Sequence, residues 1–324
     1  MLGQSISVAG ANSCRGIQDA CDRSDDIANG VESDFEIIGI GGFGSRLVSR
    51  VTYEIDRIAR PGGNRFVLKS IELDGQGSEN WQRQMEFACF SRSRRFPERK
   101  PSCLIQVAGL GGGTATTLAP EIAEDPRHSE AFSVAIVSMP QSDRDGYAGH
   151  SMSRIVAATD LNIVFESPEA GSGSATQSLD AVRARGLLLT ERRMCQCATE
   201  LIRAINSCNE SGISLSDLRS HFSGIRMAGF GVAGGGYGQE IQKSVAESVR
   251  NAIRSMPSTP NLQAKAALVA FSGKPGNVKW TAVQSGKDEI RRQLGDRVPC
   301  LYSVQVDGNG GHYGLRTAVW LAFG

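Results

Sequence analysis

A chain of 324 residues is long enough for two domains, and one that size buries roughly three quarters of its unfolded surface. With 40% apolar and 21% charged residues it has the balance of a globular protein, which excludes disorder as its main state. Lys and Arg number 35 against 34 Asp and Glu, so a net charge of +1 gives no general attraction to nucleic acid or an anionic membrane, and no nucleic-acid partner is expected.

Residues 1–33 are small, polar and weakly periodic, with DRSDD at 22–26, and are expected to form an N-terminal extension outside the core. The opening MLGQSISVAGANS has neither a basic n-region nor a long apolar stretch, and no run of eighteen apolar residues follows. The chain therefore reads as cytoplasmic and without a bilayer-spanning helix. Order begins at FEIIGI (35–40), an apolar run of the kind that forms a buried parallel strand, ending in GGFG. Leu47, Val51, Ile55 and Ile58 then recur at helical spacing until Pro61-Gly62-Gly63. RFVLKSIEL (65–73) predicts a second strand and SRSRRFPERK (91–100) a charged segment. SCLIQVAGL (102–110) is another buried strand, running into GGGTATT and a helix through Glu124. AFSVAIVSMP (131–140) and LNIVFES (161–167) complete a strand–helix alternation that predicts a parallel α/β sheet.

SPEAGSGSATQ (167–177) reads as a polar loop. A long helix follows at about 179–207, with Leu187, Met194, Ala198, Leu201 and Ile205 on one face. At 1.5 Å per residue it would span ~43 Å, the length of a spine between two subdomains. GIRMAGFGVAGG (224–235) is a glycine-rich strand, and Ile241, Val245, Val249 and Ile253 mark a four-residue stripe on the next helix. ALVAFSG, CLYSVQVD and LRTAVWLAFG read as strands of a second sheet. The eight cysteines contain no CxxC pair and the four histidines are scattered, so no metal site is written here and free thiols are expected.

Two glycine clusters follow two different strands. The first is Gly39-Ile40-Gly41-Gly42-Phe43-Gly44-Ser45-Arg46, whose Gly39, Gly41 and Gly44 spell GxGxxG. Alone, that pattern fits a nicotinamide-dependent oxidoreductase, or a tight strand–helix turn with no ligand. The second is Gly109-Leu110-Gly111-Gly112-Gly113-Thr114-Ala115-Thr116-Thr117. Two such turns on neighbouring strands would surround one polyphosphate from both sides, with threonine hydroxyls as further donors or a magnesium contact.

AGLGGGTATTLAPEIAE resembles the tubulin/FtsZ signature, GGGTGTG followed by a helix opening A-A-P-x-I-A-E. IIGIGGFGSRLVSRV is similar to the first phosphate loop of that family, IELDGQ (71–76) to its N-T-D-A-Q loop and SVAIVSMP to its T-K-P strand end. LDAVRARGLLL resembles the start of its central helix, ISLSDLRSHF its catalytic loop, and RTAVWLAFG its final core strand. The resemblance implies a Rossmann-like, parallel-sheet GTP-binding domain at 34–178 and a central helix at 179–208. A smaller α+β domain with a catalytic-loop remnant would occupy 209–324. It places GTP or GDP at Gly41, Gly42, Gly44, Ser45, Arg46, Asp74, Gly111, Gly112, Gly113, Thr114, Ala115, Thr116, Asp145 and Gly186, with Mg2+ as an optional companion.

The departures from the family pattern bear on hydrolysis and base recognition. In the catalytic loop Gly212 and Ser214 replace an asparagine and an aspartate, leaving Asp217 alone; its other reading is a solvated carboxylate at a helix start. Gly186 stands near the place of the guanine-reading asparagine, and Asp145 is what is left of the ribose pair. The third phosphate loop is replaced by Ser91-Arg92-Ser93-Arg94-Arg95-Phe96-Pro97, which with Arg46 would put fixed positive charge near the phosphates, or is a solvated basic loop.

The implied function is a divergent cytoskeletal protein that polymerises head to tail, with weak GTP hydrolysis completed by Asp217 of the adjacent subunit and a role in membrane remodelling. A non-hydrolysing structural filament or regulatory protein is the alternative, and an NAD-dependent oxidoreductase a minor one. Residues 1–33 carry no amphipathic stripe, so any membrane contact is expected through a tethering partner protein, not by direct insertion.

Overall fold

The computed structural model describes residues 34–58, 65–73, 82–90, 100–140, 146–167, 177–206, 213–222, 224–225, 227–236, 238–255, 263–274, 276–306 and 315–323. Residues 1–33, Pro61-Gly62-Gly63, Asp74, the basic segment 91–99, Asp145 and Gly212 lie outside the described residues.

β1 (Asp34–Ile40) is apolar on both faces: Phe35 and Ile37 enter one core, Ile38 and Ile40 the other. That is the pattern of a strand covered by helices on both sides. It pairs in parallel with β2 (Arg65–Leu73) and with β4 (Cys103–Gly109). β5 (Phe132–Pro140) and β6 (Leu161–Ser167) extend the parallel run beyond β4. β3 (Gln82–Phe90), which the sequence reading passes over, joins the outer edge of β2 antiparallel. Its first three residues are polar, so its strand character shows only once β2 is there to pair with it.

Helix α1 (Gly41–Ile58) follows β1 and packs Leu47, Val48, Val51 and Ile55 onto one face of the sheet, beside α4 (Gln177–Asn206). Helices α2 (Gly113–Ala123) and α3 (Tyr147–Ala158) cover the other face. Pro120 sits inside α2 and has no N–H to give, which leaves the Thr116 carbonyl without its helical donor. The Ser151 hydroxyl of α3 supplies one at 2.8 Å, so the defect in one helix docks the next.

Beyond α4 come α5 (Leu215–Phe222), β7 (Met227–Gly235), α6 (Gln239–Ser255), β8 (Ala264–Gly273), α7 (Trp280–Leu294), β9 (Cys300–Val306) and β10 (Leu315–Phe323). The sequence predicts a second sheet for β8, β9 and β10, but they join the first one through β7. The order is continuous, β3-β2-β1-β4-β5-β6-β7-β10-β8-β9. The join is narrow: β6 and β7 share only the pairs Asn162 with Met227 and Ile163 with Ala228. Apolar alternation defines strands but not which edges meet, and that is where the expectation departs from the structure.

α4 buries Met194, Cys197, Ala198, Leu201, Ile202 and Ile205 in a core shared with β1, β4 and β5 and with Phe230 and Trp320 of the later strands. Each of the larger ones, Met194, Leu201, Ile202 and Ile205, contributes about 1.5–3 kcal/mol by leaving water. The Trp320 indole N–H points at Cys197 Sγ, 3.4 Å away, and buried Glu200 accepts from Arg316 of β10 at 2.7 Å. Leu187 falls off this face; Leu187, Leu188 and Leu189 are all exposed. The stripe on α6 also shifts: Ile241, Val245 and Val249 are buried, but Ile253 is exposed and Ala252 takes its place. At 100° per residue, twelve residues carry Ile253 about 120° from Ile241, whereas Ala252 lies only about 20° away. Among the described residues no helix is long and apolar enough to cross a membrane.

Candidate functional site

The connections from β1 and β4 leave in opposite directions, toward β2 and toward β5. In an open parallel sheet such a reversal opens a crevice at the carboxyl ends of the strands. Both glycine clusters lie there, at the ends of β1 and β4. A Cβ at Gly39 would run into the Gly44 carbonyl, and one at Gly44 into the Val107 carbonyl, so these two glycines let α1 press against β1 and β4.

Gly41 has φ 71, a left-handed conformation, and its Cβ position lies 3.4 Å from the Ala115 nitrogen and 3.5 Å from Thr114 Cβ. The two glycine turns therefore touch. Gly111 has φ 94, and a Cβ there would approach Pro140 Cγ at 2.8 Å. Gly42, Gly112 and Gly113 form an exposed rim: among the described residues nothing lies within 4 Å of the Gly113 Cβ position, and near Gly42 only Arg46 Nη1 does, at 3.8 Å.

α2 begins at Gly112 with no capping side chain, and its first intrahelical N–H is that of Thr116, bonded to the Gly112 carbonyl at 3.1 Å. The N–H groups of Gly113, Thr114 and Ala115 are thus the open end of the helix. α3 starts likewise at an uncapped Gly146, and none of α1, α2 and α3 has an acidic residue in its first turn. Each helix start carries about half a positive charge, a combination suited to an anion.

The expected role of the Thr116 hydroxyl changes. It donates to the Gly112 carbonyl at 2.6 Å, accepts from the Gly111 N–H at 2.9 Å and is buried, so it staples the turn and is not a ligand donor. Thr117 Oγ1 donates to the Gly113 carbonyl at 2.9 Å and lies 3.3 Å from the hydroxyl of Tyr147, an exposed aromatic that no sequence signal marks. The buried Ser45 Oγ has no hydrogen-bond partner among the described residues. Arg46 points toward buried Glu191 of α4, Nε to Oε2 4.0 Å, with Arg50 Nε 3.3 Å from the other oxygen. Glu191 was also missed; its only sequence signal is an acid on the apolar side of a long helix. Gly186 is half-buried near the start of α4.

Asp217 stands apart, at the start of α5. Its Oδ2 accepts from the Ser214 N–H at 3.0 Å and from the Ser214 hydroxyl at 2.6 Å, and its own N–H donates back to Ser214 Oγ at 3.0 Å. This is a reciprocal capping box, and the Ser214 hydrogen bonds hold the exposed carboxyl below its ordinary pKa. The carboxylate is charged and reachable, but one oxygen is committed to the helix.

No protein-family model matches the chain. It is similar to the cell division protein FtsZ 1 of Pyrococcus horikoshii, 21% identical over 304 residues that cover 87% of this chain and 78% of that protein. Among solved structures it matches an FtsZ dimer of M. jannaschii with a TM-score of 0.69 at 14% identity, over 93% of this chain and 91% of that one. It also matches CetZ2 of Haloferax volcanii, solved as a GTPγS-bound protofilament, with a TM-score of 0.53 at 16% identity, over 89% and 92% of the two chains. The fold is the α/β fold of these proteins, with a mixed, mostly parallel sheet.

Proposed function

We propose, from the premise that this chain is a divergent FtsZ-like member of the tubulin/FtsZ superfamily, that it binds guanine nucleotide at the paired glycine turns and assembles head to tail into protofilaments. One observation carries the nucleotide half: the Gly41 turn lies against the open amino end of α2 at Thr114 and Ala115. A polyphosphate lying on that seam would meet N–H groups from both sides, and the bare glycines on the rim admit it closely. Relatives of the same fold supply the assembly half, CetZ2 having been solved as a GTPγS-bound protofilament.

Turnover in this reading is weak. Phosphoryl transfer needs positioning and charge stabilisation, and Asp217 of the neighbouring subunit is the residue left to orient water. Its Oδ1 can do so while Oδ2 caps α5. A magnesium ion bound with the nucleotide would neutralise phosphate charge. Magnesium of this kind takes phosphate oxygens and water among its ligands.

A non-hydrolysing filament or regulatory protein is the second reading, favoured by the commitment of Asp217 Oδ2 and of the Thr116 hydroxyl to local structure. Phosphate release measured against protein concentration separates the two. Cooperative release, absent in Asp217→Asn, supports the first reading, and a flat baseline the second. The ligand itself is tested by denaturing the purified protein and identifying the nucleotide released. A guanine nucleotide is expected; NAD would transfer the Gly39–Gly44 pattern to an oxidoreductase, and an adenine nucleotide would overturn guanine selectivity.

A further inference from the structure

Glu191 is a buried carboxylate on α4, flanked by two arginines one turn apart on α1. Its Oε1 lies 3.3 Å from Arg50 Nε but makes no hydrogen bond among the described residues, and its Oε2 lies 4.0 Å from Arg46 Nε. A buried carboxylate is costly unless cations face it, so the two guanidinium groups are what sustain it there. Arg46 itself is 63% exposed, with its Nε turned to Glu191 of α4. The opposite edge has a definite direction. Nη1 lies 3.8 Å from the Gly42 Cβ position on the open rim, and the guanidinium carbon sits 6.0 Å from the centroid of Phe43.

We propose that Arg46 is a phosphate-binding residue positioned by Glu191: the carboxylate holds the Nε edge while the Nη edge is presented over Gly42 to a polyphosphate. A guanidinium has five donors in a rigid fork, enough to bridge a carboxylate and a phosphate at once. An unanchored arginine gives up its rotamer freedom when it binds; an anchored one has already done so. The bridge also connects the ligand directly to the central helix, which reaches β9 and β10 through Ser303 and Arg316. The proposal rests on reading the glycine turns as a phosphate site.

The test titrates GTP, and separately tripolyphosphate, which has no base or sugar, into the full chain by calorimetry. Arg46→Ala weakens both by about tenfold or more. Glu191→Gln weakens both by about threefold to fivefold when Arg46 is present, and does not weaken either in the Arg46→Ala background, where only the loss of negative charge is left. Arg50→Ala, which removes the other partner of Glu191, leaves affinity within about twofold. Charge alone predicts the opposite sign, because removing a buried negative charge beside an anion site strengthens binding. Tighter or unchanged binding by Glu191→Gln, additive effects in the double variant, or an equal loss in Arg50→Ala each overturns the proposal. Should Glu191→Gln fail to fold in a thermal scan, Arg46→Lys decides: it keeps the charge without the fork, so binding like Arg46→Ala supports the proposal and unaltered binding overturns it. If the unaltered chain binds neither probe, the phosphate-site reading itself falls.

Discussion

In β7 a Cβ at Gly231 would run into the Ser248 carbonyl of α6, and one at Gly235 would sit 2.7 Å from the Glu240 carbonyl. Around the Cβ position of Gly113, at the head of α2, no described residue lies within 4 Å. Both stretches look alike in sequence, glycine-rich and next to a helix, yet one uses the missing side chain to seat a helix on a strand and the other to leave room. The physical difference is what faces the glycine. A backbone carbonyl demands close packing, whereas open solvent beside uncapped N–H groups invites an anion. Glycine content alone is therefore a poor guide to function, and the neighbour across the gap is the informative quantity.

The sharpest way to break this contrast is Gly231→Val. It forces α6 off β7 and is expected to cost about 3 kcal/mol or more, read as a collapse of the thermal midpoint; a stable variant would refute the packing role. Gly113→Asp should do the reverse. A carboxylate in the first turn of α2 suits the helix and leaves stability unchanged or raised by about 0.5 kcal/mol. It also repels phosphate, so GTP affinity should fall about tenfold or more in a calorimetric titration. Equal losses of stability and affinity would erase the distinction between the two regions.

Asp217 extends the question to a polar residue. Asp217→Ala removes the carboxylate half of the capping box, keeping the backbone N–H bond to Ser214, and should cost about 0.5 kcal/mol in denaturant melts, along with phosphate release. Asp217→Glu keeps the box, because Glu is the usual residue at that position. Turnover lost in Asp217→Glu with stability intact would mark a chemical role, and turnover retained in Asp217→Ala would mark a purely structural one.

The smallest effect is expected at His221, half-buried against the Ala267 carbonyl at 3.0 Å. Burial pulls its pKa below the ordinary 6.5. The unfolded chain then binds the proton more readily than the folded one. Its contribution is complete above pH ~6.5 and fades as pH falls toward the lowered folded value. A modest drop in thermal midpoint over that window should vanish in His221→Gln, and persistence of the drop would assign it to another group.

Much of the framework is legible in the residues. FEIIGI, SCLIQVAGL, SVAIVSMP and LNIVFES are apolar on both faces because helices cover both, and that burial is written into local composition. The two glycine turns and the long helix are legible for the same reason, since each is a property of neighbouring residues. Most of what escapes depends on partners distant in sequence. The β6–β7 seam is two residue pairs that no periodicity marks. The burial of Glu191 depends on arginines some 140 positions earlier. Thr116 escapes for a different, local reason: it looks like a ligand donor until the Gly111 and Gly112 backbone, five and four residues away, folds around it. The drift of Ile253 off its stripe was within reach, needing only 3.6 residues per turn in place of 4.

The proline inside α2 has one further consequence. Because Ser151 bonds the Thr116 carbonyl that Pro120 leaves idle, the helix whose open end faces the rim is tied to its neighbour at its fourth residue, about one turn from that end. In the anion site proposed above, N–H groups held this way would meet the ligand already aligned, with little reorganisation left to do on contact.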